Sequence, residues 1–421
     1  MRSFASNREP VLKQPLSSTL TKVFALFVLL SPLSSNAALV DGPLGKIELR
    51  VNTRATFDSN VFAMPTRDFN GYKDNGASLE SSEDLILELT PAAHFTKKMK
   101  LIEVQATLGA RGAYFISNRD KSYVDPVTTF TVDFDESLSK RISNNGKIRF
   151  DANFDMGQKT VTSVLENDLT SYAYVSVGSN VRYNHSQKFG VGLSANYSYR
   201  DYQDVGANPN SSYQDVFMLP ITTRAFYIYS PKLDFFTEYT RMQTEGGSSQ
   251  NKTLDATTHT INFGAQGDVL TKASGSVHIG FVKKVFERNS FAQENLSLGT
   301  DLSWKLNQKT NIDINLDRSF QPSPQDQSIL TTSFGVSLAH RLNEKMSGSI
   351  NLSWSSSEYT TGPGSLSNSR QVDMITFGAT ATKKLSQRLS TSAGYTFSTA
   401  HQNPGNDFDR HTLYVDLTGT Y

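Results

Sequence analysis

Cysteine is absent from the 421 residues, which excludes disulfides, thiolate metal sites and cysteine nucleophiles. Charge of one sign is not in excess either: 41 Lys and Arg stand against 40 Asp and Glu, so no basic field draws the chain to nucleic acid. Beyond the N-terminal segment there is no apolar run of about 20 residues, the length a membrane-spanning helix needs. With apolar residues at only 37%, a helical membrane protein is excluded. A strand that crosses a bilayer needs an apolar side chain only at every second position, so low average hydropathy is compatible with a transmembrane barrel. Catalytic constellations are missing as well. His94, His185, His259, His278, His340, His401 and His411 are scattered, with no His-x-x-x-His spacing. A hydrolase would need Ser and His on neighbouring strands, and this serine-rich chain marks no particular pair. Gly362-Pro363-Gly364 reads as a loop turn without the strand-to-helix context of a phosphate cradle. No catalytic residue, metal or cofactor is expected.

What is present begins with an export signal. Arg2, Arg8, Lys13 and Lys22 form a basic stretch, Val23 to Leu30 a short apolar one, and Ser35-Asn36-Ala37 the small residues of a cleavage site. Residues 1–37 are therefore expected to be a signal peptide, cut after Ala37 or Ala38, and 38–421 a barrel in the cell outer membrane. No cysteine follows the cut, so no lipid anchor is expected.

From Lys46 onward, stretches of roughly ten to fifteen residues alternate apolar with polar side chains and then break. The breaks are of two kinds, and they take turns. Short ones lie at Thr96–Lys100, Ser143–Gly146, Ser186–Lys188, Ser230–Lys232, Thr271–Lys272, Asn307–Lys309, Asn343–Lys345 and Ser386–Arg388; they carry turn residues with Lys or Arg close behind. Long ones lie at Asp58–Ser82, Tyr202–Gln214, Gln243–Asp255, Gln321–Gln327, Ser355–Arg370 and His401–Asp409. Sorting of this kind separates periplasmic turns from extracellular loops in outer-membrane barrels. The expected fold is all-β, an antiparallel up-and-down transmembrane barrel of about 18 strands (about 16 to 18), with both termini periplasmic. The last strand, Leu413 to Tyr421, ends on an aromatic residue and is expected to pair with the first. A soluble β-sandwich would share the alternation but not the sorted connections or the export signal.

Faces follow from the alternation. Ile47, Leu49, Val51, Ala55 and Phe57 are expected outside, with Glu48, Arg50, Asn52 and Arg54 inside; Leu296, Leu298, Leu302, Trp304 and Leu306 oppose Ser297, Gly299, Asp301, Ser303 and Lys305. An Arg or Lys on the lipid face near the midplane costs about 2–4 kcal/mol, so the charged phase must line a wet interior. Glu136 breaks the phase of its strand and Pro220 interrupts another, each an expected bulge or register change. Tyr197, Tyr199 and Tyr239 fall at upper strand ends and Tyr183, Tyr227, Tyr229 and Tyr421 at lower ones, giving two interfacial girdles.

The inward charges are the one functional pattern. Arg50, Arg54, Arg111, Arg149, Arg182, Arg200 and Arg224 come early, and Asp301, Asp313, Asp317 and Asp416 late. These are the candidate pore-lining residues. A basic wall would then oppose an acidic one across the lumen and filter polar solutes; pairing with neighbours such as Glu48, Glu88 and Asp133 is the other reading. Arginine suits carboxylates and sugar hydroxyls, hence an acidic polysaccharide.

The segment Ala55-Thr56-Phe57-Asp58-Ser59-Asn60-Val61-Phe62, followed by Glu83-Asp84-Leu85-Ile86-Leu87-Glu88-Leu89-Thr90-Pro91, resembles the opening of the beta-barrel porin type 2 family. There an Asp-x-Asn-aliphatic-aromatic element precedes an Asp-x-Ile-x-x-Leu-x-Pro strand. The strand and Lys-turn rhythm is similar over nearly the whole mature chain. Gly419 departs from the usual terminal insertion signal, which carries a bulky apolar residue there. The resemblance implies a non-enzymatic outer-membrane porin, often encoded beside exopolysaccharide or capsule systems. Its implied partners are outer-membrane lipid, the barrel-assembly machinery, periplasmic polysaccharide-export components and a polar or acidic polysaccharide. A general diffusion porin for small polar solutes, and a docking barrel with a plugged lumen, remain the alternatives.

Overall fold

Period-two alternation puts every strand's apolar residues on one face, and a sheet so patterned can hide that face from water only in lipid or against another layer. The computed structural model describes residues 40–65, 79–100, 102–134, 147–166, 168–203, 213–246, 255–287, 291–324, 328–360, 370–403 and 407–421. Residues 1–37, Glu136, the Ser143–Gly146 turn and Gly362–Gly364 lie outside them. The strands begin with β1 (Val40–Gly42), β2 (Gly45–Asp58), β3 (Asp84–Lys98), β4 (Ile102–Phe115), β5 (Tyr123–Phe134) and β6 (Lys147–Ser163). They continue as β7 (Asp168–Asn184), β8 (Phe189–Gln203), β9 (Val216–Ser230), β10 (Leu233–Gly246), β11 (Ala256–Leu270) and β12 (Ala273–Phe286). The last are β13 (Ala292–Lys305), β14 (Thr310–Pro322), β15 (Ser328–Arg341), β16 (Met346–Thr360), β17 (Gln371–Lys384), β18 (Leu389–Asn403) and β19 (Phe408–Thr420).

β1 is a short hairpin arm on β2. The other eighteen strands form a closed antiparallel barrel, each paired with its chain neighbours. Closure runs from Thr412 opposite Asp58 to Thr420 opposite Arg50. Tyr421 and Leu49 then exchange backbone hydrogen bonds of 2.8 and 2.9 Å, so no sheet edge is left to satisfy in lipid. The short turns share one local device. Ser186, Ser230, Asn307, Asn343 and Ser386 each accept, on the side chain, the backbone N–H two residues on, that of Lys188, Lys232, Lys309, Lys345 and Arg388. Those side chains substitute for a ladder partner where the chain reverses.

The outward phase is apolar and bare. Phe281, Val124 and Leu108 are 69%, 68% and 67% exposed, a state that requires lipid around them. Tyr227 and Tyr229 face outward at the lower end of β9, where rings with polar tips suit the interface. Tyr197 and Tyr239 also face outward, but in the middle of β8 and β10 rather than at the expected upper ends. Pro220 departs from expectation: β9 stays in register through it, opposite Met242 of β10. On its other side the bridges to β8 stop at Ala195 opposite Ile221 and resume at Ser198 opposite Met218. Proline withholds a donor there without adding a residue. The register shifts lie instead beside short turns, at Leu233/Asp234 and at Asp268/Leu270. Strands also run beyond the apolar pattern into the expected loops. Ser355 to Thr360 continue β16 because each still pairs with β15, and above the bilayer both faces can be polar.

Candidate functional site: a crossed extracellular mouth and a paired lumen

Two hairpins leave the wall at the extracellular end. β6 pairs with β5 only from Asp151 opposite Asp133 to Gly157 opposite Val127, yet its pairing with β7 continues to Ser163 opposite Asp168. Pro126 has no N–H for the next bridge. Asp125 answers with its side chain, accepting from Thr160 N–H at 2.8 Å and Thr160 Oγ1 at 3.1 Å. Arg111 donates to Thr160 carbonyl at 2.8 Å. Past this hinge the β6–β7 tip crosses the lumen. Tyr359 of β16, on the opposite wall, donates its hydroxyl to Leu165 carbonyl at 3.0 Å, and Val164 and Leu165 pack on a cluster containing Ile329, Tyr359 and Val372.

β14 behaves likewise, leaving β13 above Leu298 opposite Arg318 while staying paired with β15 to Pro322 opposite Ser328. Its tip is drawn inward by Phe320, packed on Val282 and Leu330, and by Lys284 Nζ, which donates to Ser328 Oγ at 2.9 Å. Ser323 Oγ reaches Glu166 of the first hairpin at 3.5 Å, and Gln214 N–H donates to Pro324 carbonyl at 2.7 Å.

Between the hairpins lies the strap that follows β2. Val61, Phe62 and Ala63 are each 0% exposed and Met64 is 2%. Val61, Phe62 and Met64 pack on Ala113, Phe115 and Leu169, whereas Ala63 packs on the far cluster with Ala400 and Phe408. The Asp-x-Asn element builds this strap. Asp58, 2% exposed, accepts from Arg410 Nε at 3.0 Å and from Asn60 N–H at 3.0 Å. Asn60 imitates a strand partner, donating to Met64 carbonyl at 2.8 Å and accepting Met64 N–H at 3.0 Å. Thr162 Oγ1 donates to Val61 carbonyl at 2.6 Å, tying strap to hairpin. The second aspartate of the opening, Asp84, accepts the N–H groups of Ile116, Ser117 and Asn118 at 2.8 to 2.9 Å, and so orders the next loop.

Glu166, in the connection after β6, is held at this junction by Ser163 and faces Arg370. Burial raises its pKa above the ordinary glutamate value, although Ser163 and Arg370 pull the other way. The docked carboxyl keeps its proton more tightly than a free one, so acid stabilises the docked tip and rising pH weakens it. The open fraction of the protein in planar bilayers is therefore expected to rise with pH above the free-glutamate value. In Glu166→Gln that dependence should vanish; an unchanged profile would remove Glu166 from the latch.

Each predicted pore-lining residue falls on the lumenal phase, but the basic wall facing an acidic wall does not form. Arginines are matched by acids, three of them on adjacent strands: Arg54 with Asp416 at 3.0 Å, Arg111 with Asp125 at 3.3 Å and Arg224 with Glu238, while Arg182 of β7 reaches Asp234 of β10 at 2.8 Å. Arg50 lies 3.5 Å from Glu48, Arg200 lies over the Tyr172 ring at 5.3 Å, and Arg149 stands opposite Arg182. Asp416, expected on the acidic side, neutralises Arg54 because closure makes the first and last barrel strands neighbours. Asp301, Asp313 and Asp317 are different. They sit on β13 and β14, with Asp313 accepting from Asn311 Nδ2 at 2.7 Å and Asp317 from Ser319 Oγ at 2.6 Å, and among the described residues none meets a cation. The strap and both hairpin tips were not anticipated from sequence. The only advance signal was Val61-Phe62, an apolar pair just past a strand end.

A family profile described as "Putative beta-barrel porin 2" matches residues 50–421. No curated protein matches the chain. Solved structures with a similar course include OpdK of Pseudomonas aeruginosa with vanillate, at 8% identity, TM-score 0.48, covering 89% of this chain and 99% of that one. OccK5 (OpdH) of Pseudomonas aeruginosa gives 8% identity, TM-score 0.44, and 89% and 98% coverage. The siderophore receptor PirA of Acinetobacter baumannii gives 6% identity, TM-score 0.42, and 91% and 81% coverage.

Proposed function

The chain belongs to the "Putative beta-barrel porin 2" family, and from that premise we propose that it is a non-enzymatic outer-membrane channel for small polar solutes whose extracellular mouth is normally closed. One observation carries this reading: an apolar strap with no exposed surface at Val61, Phe62 and Ala63, clamped between a hairpin that reaches the opposite wall and the wall itself. Below it the lumen is polar and Arg54, Arg111, Arg182 and Arg224 are neutralised by acids, which suits small polar solutes. A polysaccharide strand would have to displace strap and both hairpins together, whereas a small solute needs one hairpin to lift. The geometry thus favours small solutes over an exopolysaccharide. The plug itself favours a second reading, a docking barrel that never opens.

Reconstituted in a planar bilayer, the intact protein is expected to show long closed intervals broken by brief openings. A steady full conductance from the moment of insertion would sink the closed-mouth proposal. Asp301, Asp313 and Asp317, unmatched lumenal carboxylates on β13 and β14, should contribute to the selectivity of the open channel. Changing all three to Asn should move the reversal potential in a salt gradient toward the anion side; no movement would take them out of the conducting path.

A further inference from the structure

At the periplasmic end the inner wall of β13 to β17 is hollowed into a cavity of about 730 Å³, lined by the last residues of descending strands and by two short turns. Lys305, Arg341 and Lys384 reach it on the lumenal phase from β13, β15 and β17. Lys309 and Lys345 stand on its turns. Unlike Arg54, Arg111, Arg182 and Arg224, these five cations meet no carboxylate among the described residues; Glu344 is the one acid in the lining. Asp313, the nearest lumenal acid on β14, is occupied by Asn311 Nδ2 at 2.7 Å. The rest of the lining is rich in hydroxyls, including Ser347, Thr380 and Thr382, and contains no Phe, Tyr or Trp.

We propose that this cavity is a binding site for a small hydroxylated anion, bearing a carboxylate or a phosphate, that arrives from the periplasm. Alternate strands lie about 10 Å apart, so Arg341 is central, with a lysine one such step to either side. Side chains of that length close the gap onto one anion. The Arg341 guanidinium supplies a planar two-donor fork for a carboxylate or phosphate, and the lysines add point charges. A concave wall focuses the field of like charges more than a flat rim does. The hydroxyls match ligand hydroxyls as donors or acceptors. A folded protein partner is disfavoured because such interfaces are anchored by buried aromatic residues meeting apolar pockets, and this lining offers none.

The site can be tested without any current flowing, so its failure is separate from failure of the channel proposal. Calorimetric titration of the refolded barrel in neutral detergent would use citrate and glucose 6-phosphate as probes. Saturable binding of either is expected, stronger for the source whose geometry fits better, and weakened by added salt. Arg341→Gln with Lys384→Gln should lower affinity about tenfold or more. Lys188→Gln with Lys232→Gln, on turns outside the cavity, should leave it unchanged, with a heat-modifiable gel shift confirming that both variants fold. Absence of saturable binding by both probes, or equal loss in the two variants, would overturn the proposal.

Discussion

Excising Thr162 to Leu169 and joining Val161 to Thr170 through Asn-Gly is expected to convert a mostly closed barrel into a steadily conducting one, with mean current up on the order of tenfold or more. The cut removes the hairpin tip that reaches the opposite wall and ties down the strap, and leaves the wall, since β6 and β7 still pair from Lys147 opposite Asn184 to Val161 opposite Thr170. Asn-Gly supplies the turn geometry that a two-residue hairpin needs. The tip contributes the Leu165 contact to Tyr359, the Thr162 tie to the strap and the Glu166 junction, so all three clamps go together. Tyr359→Phe, which removes only one hydrogen bond worth about 1 kcal/mol, should raise the open fraction far less. A shortened barrel that folds but stays silent would favour the docking reading.

Arg410→Met is expected to be the most disruptive single substitution at the mouth. It leaves the Asp58 carboxylate, 2% exposed, without its guanidinium, and removing one partner of a buried ion pair costs about 3–5 kcal/mol. Asp58 also orders Asn60, and Asn60 holds Met64, so the loss travels along the strap. Arg410 further donates to Thr162 at 3.2 Å, linking the strap to the hairpin. Asp58→Asn combined with Arg410→Met removes both charges and should be milder than Arg410→Met alone, which a double-mutant cycle on thermal midpoint and open fraction would measure. If the single variant were no worse than the pair, the ion pair would not be what holds the strap.

The strands, their faces and the sorted turns could be read from sequence because each depends on neighbours a few residues away. Alternation at Ile47 to Phe57 places side chains whatever the rest of the chain does, and Ser230 accepts the Lys232 N–H within its own turn. Pro220 misled because a missing donor and an extra residue look alike in a sequence; only the register shows which occurred. The charge map misled for another reason. Arg54 and Asp416 stand far apart in the chain but side by side in the closed barrel, so a field inferred from sequence distance became a set of local pairs.

Sequence by itself determined a closed antiparallel barrel with an apolar outside and a polar inside, because alternation, turn chemistry and the terminal strand are local or nearest-neighbour properties. Tertiary structure alone decided how the mouth is crossed. The bend of β6 depends on where β5 stops offering bridges, and its tip is held by Tyr359 on a strand almost two hundred residues later. The Asp-x-Asn element was visible as a family likeness, yet its physical role, a buried clamp on an apolar strap, exists only once Arg410 and Asp58 meet across the closure.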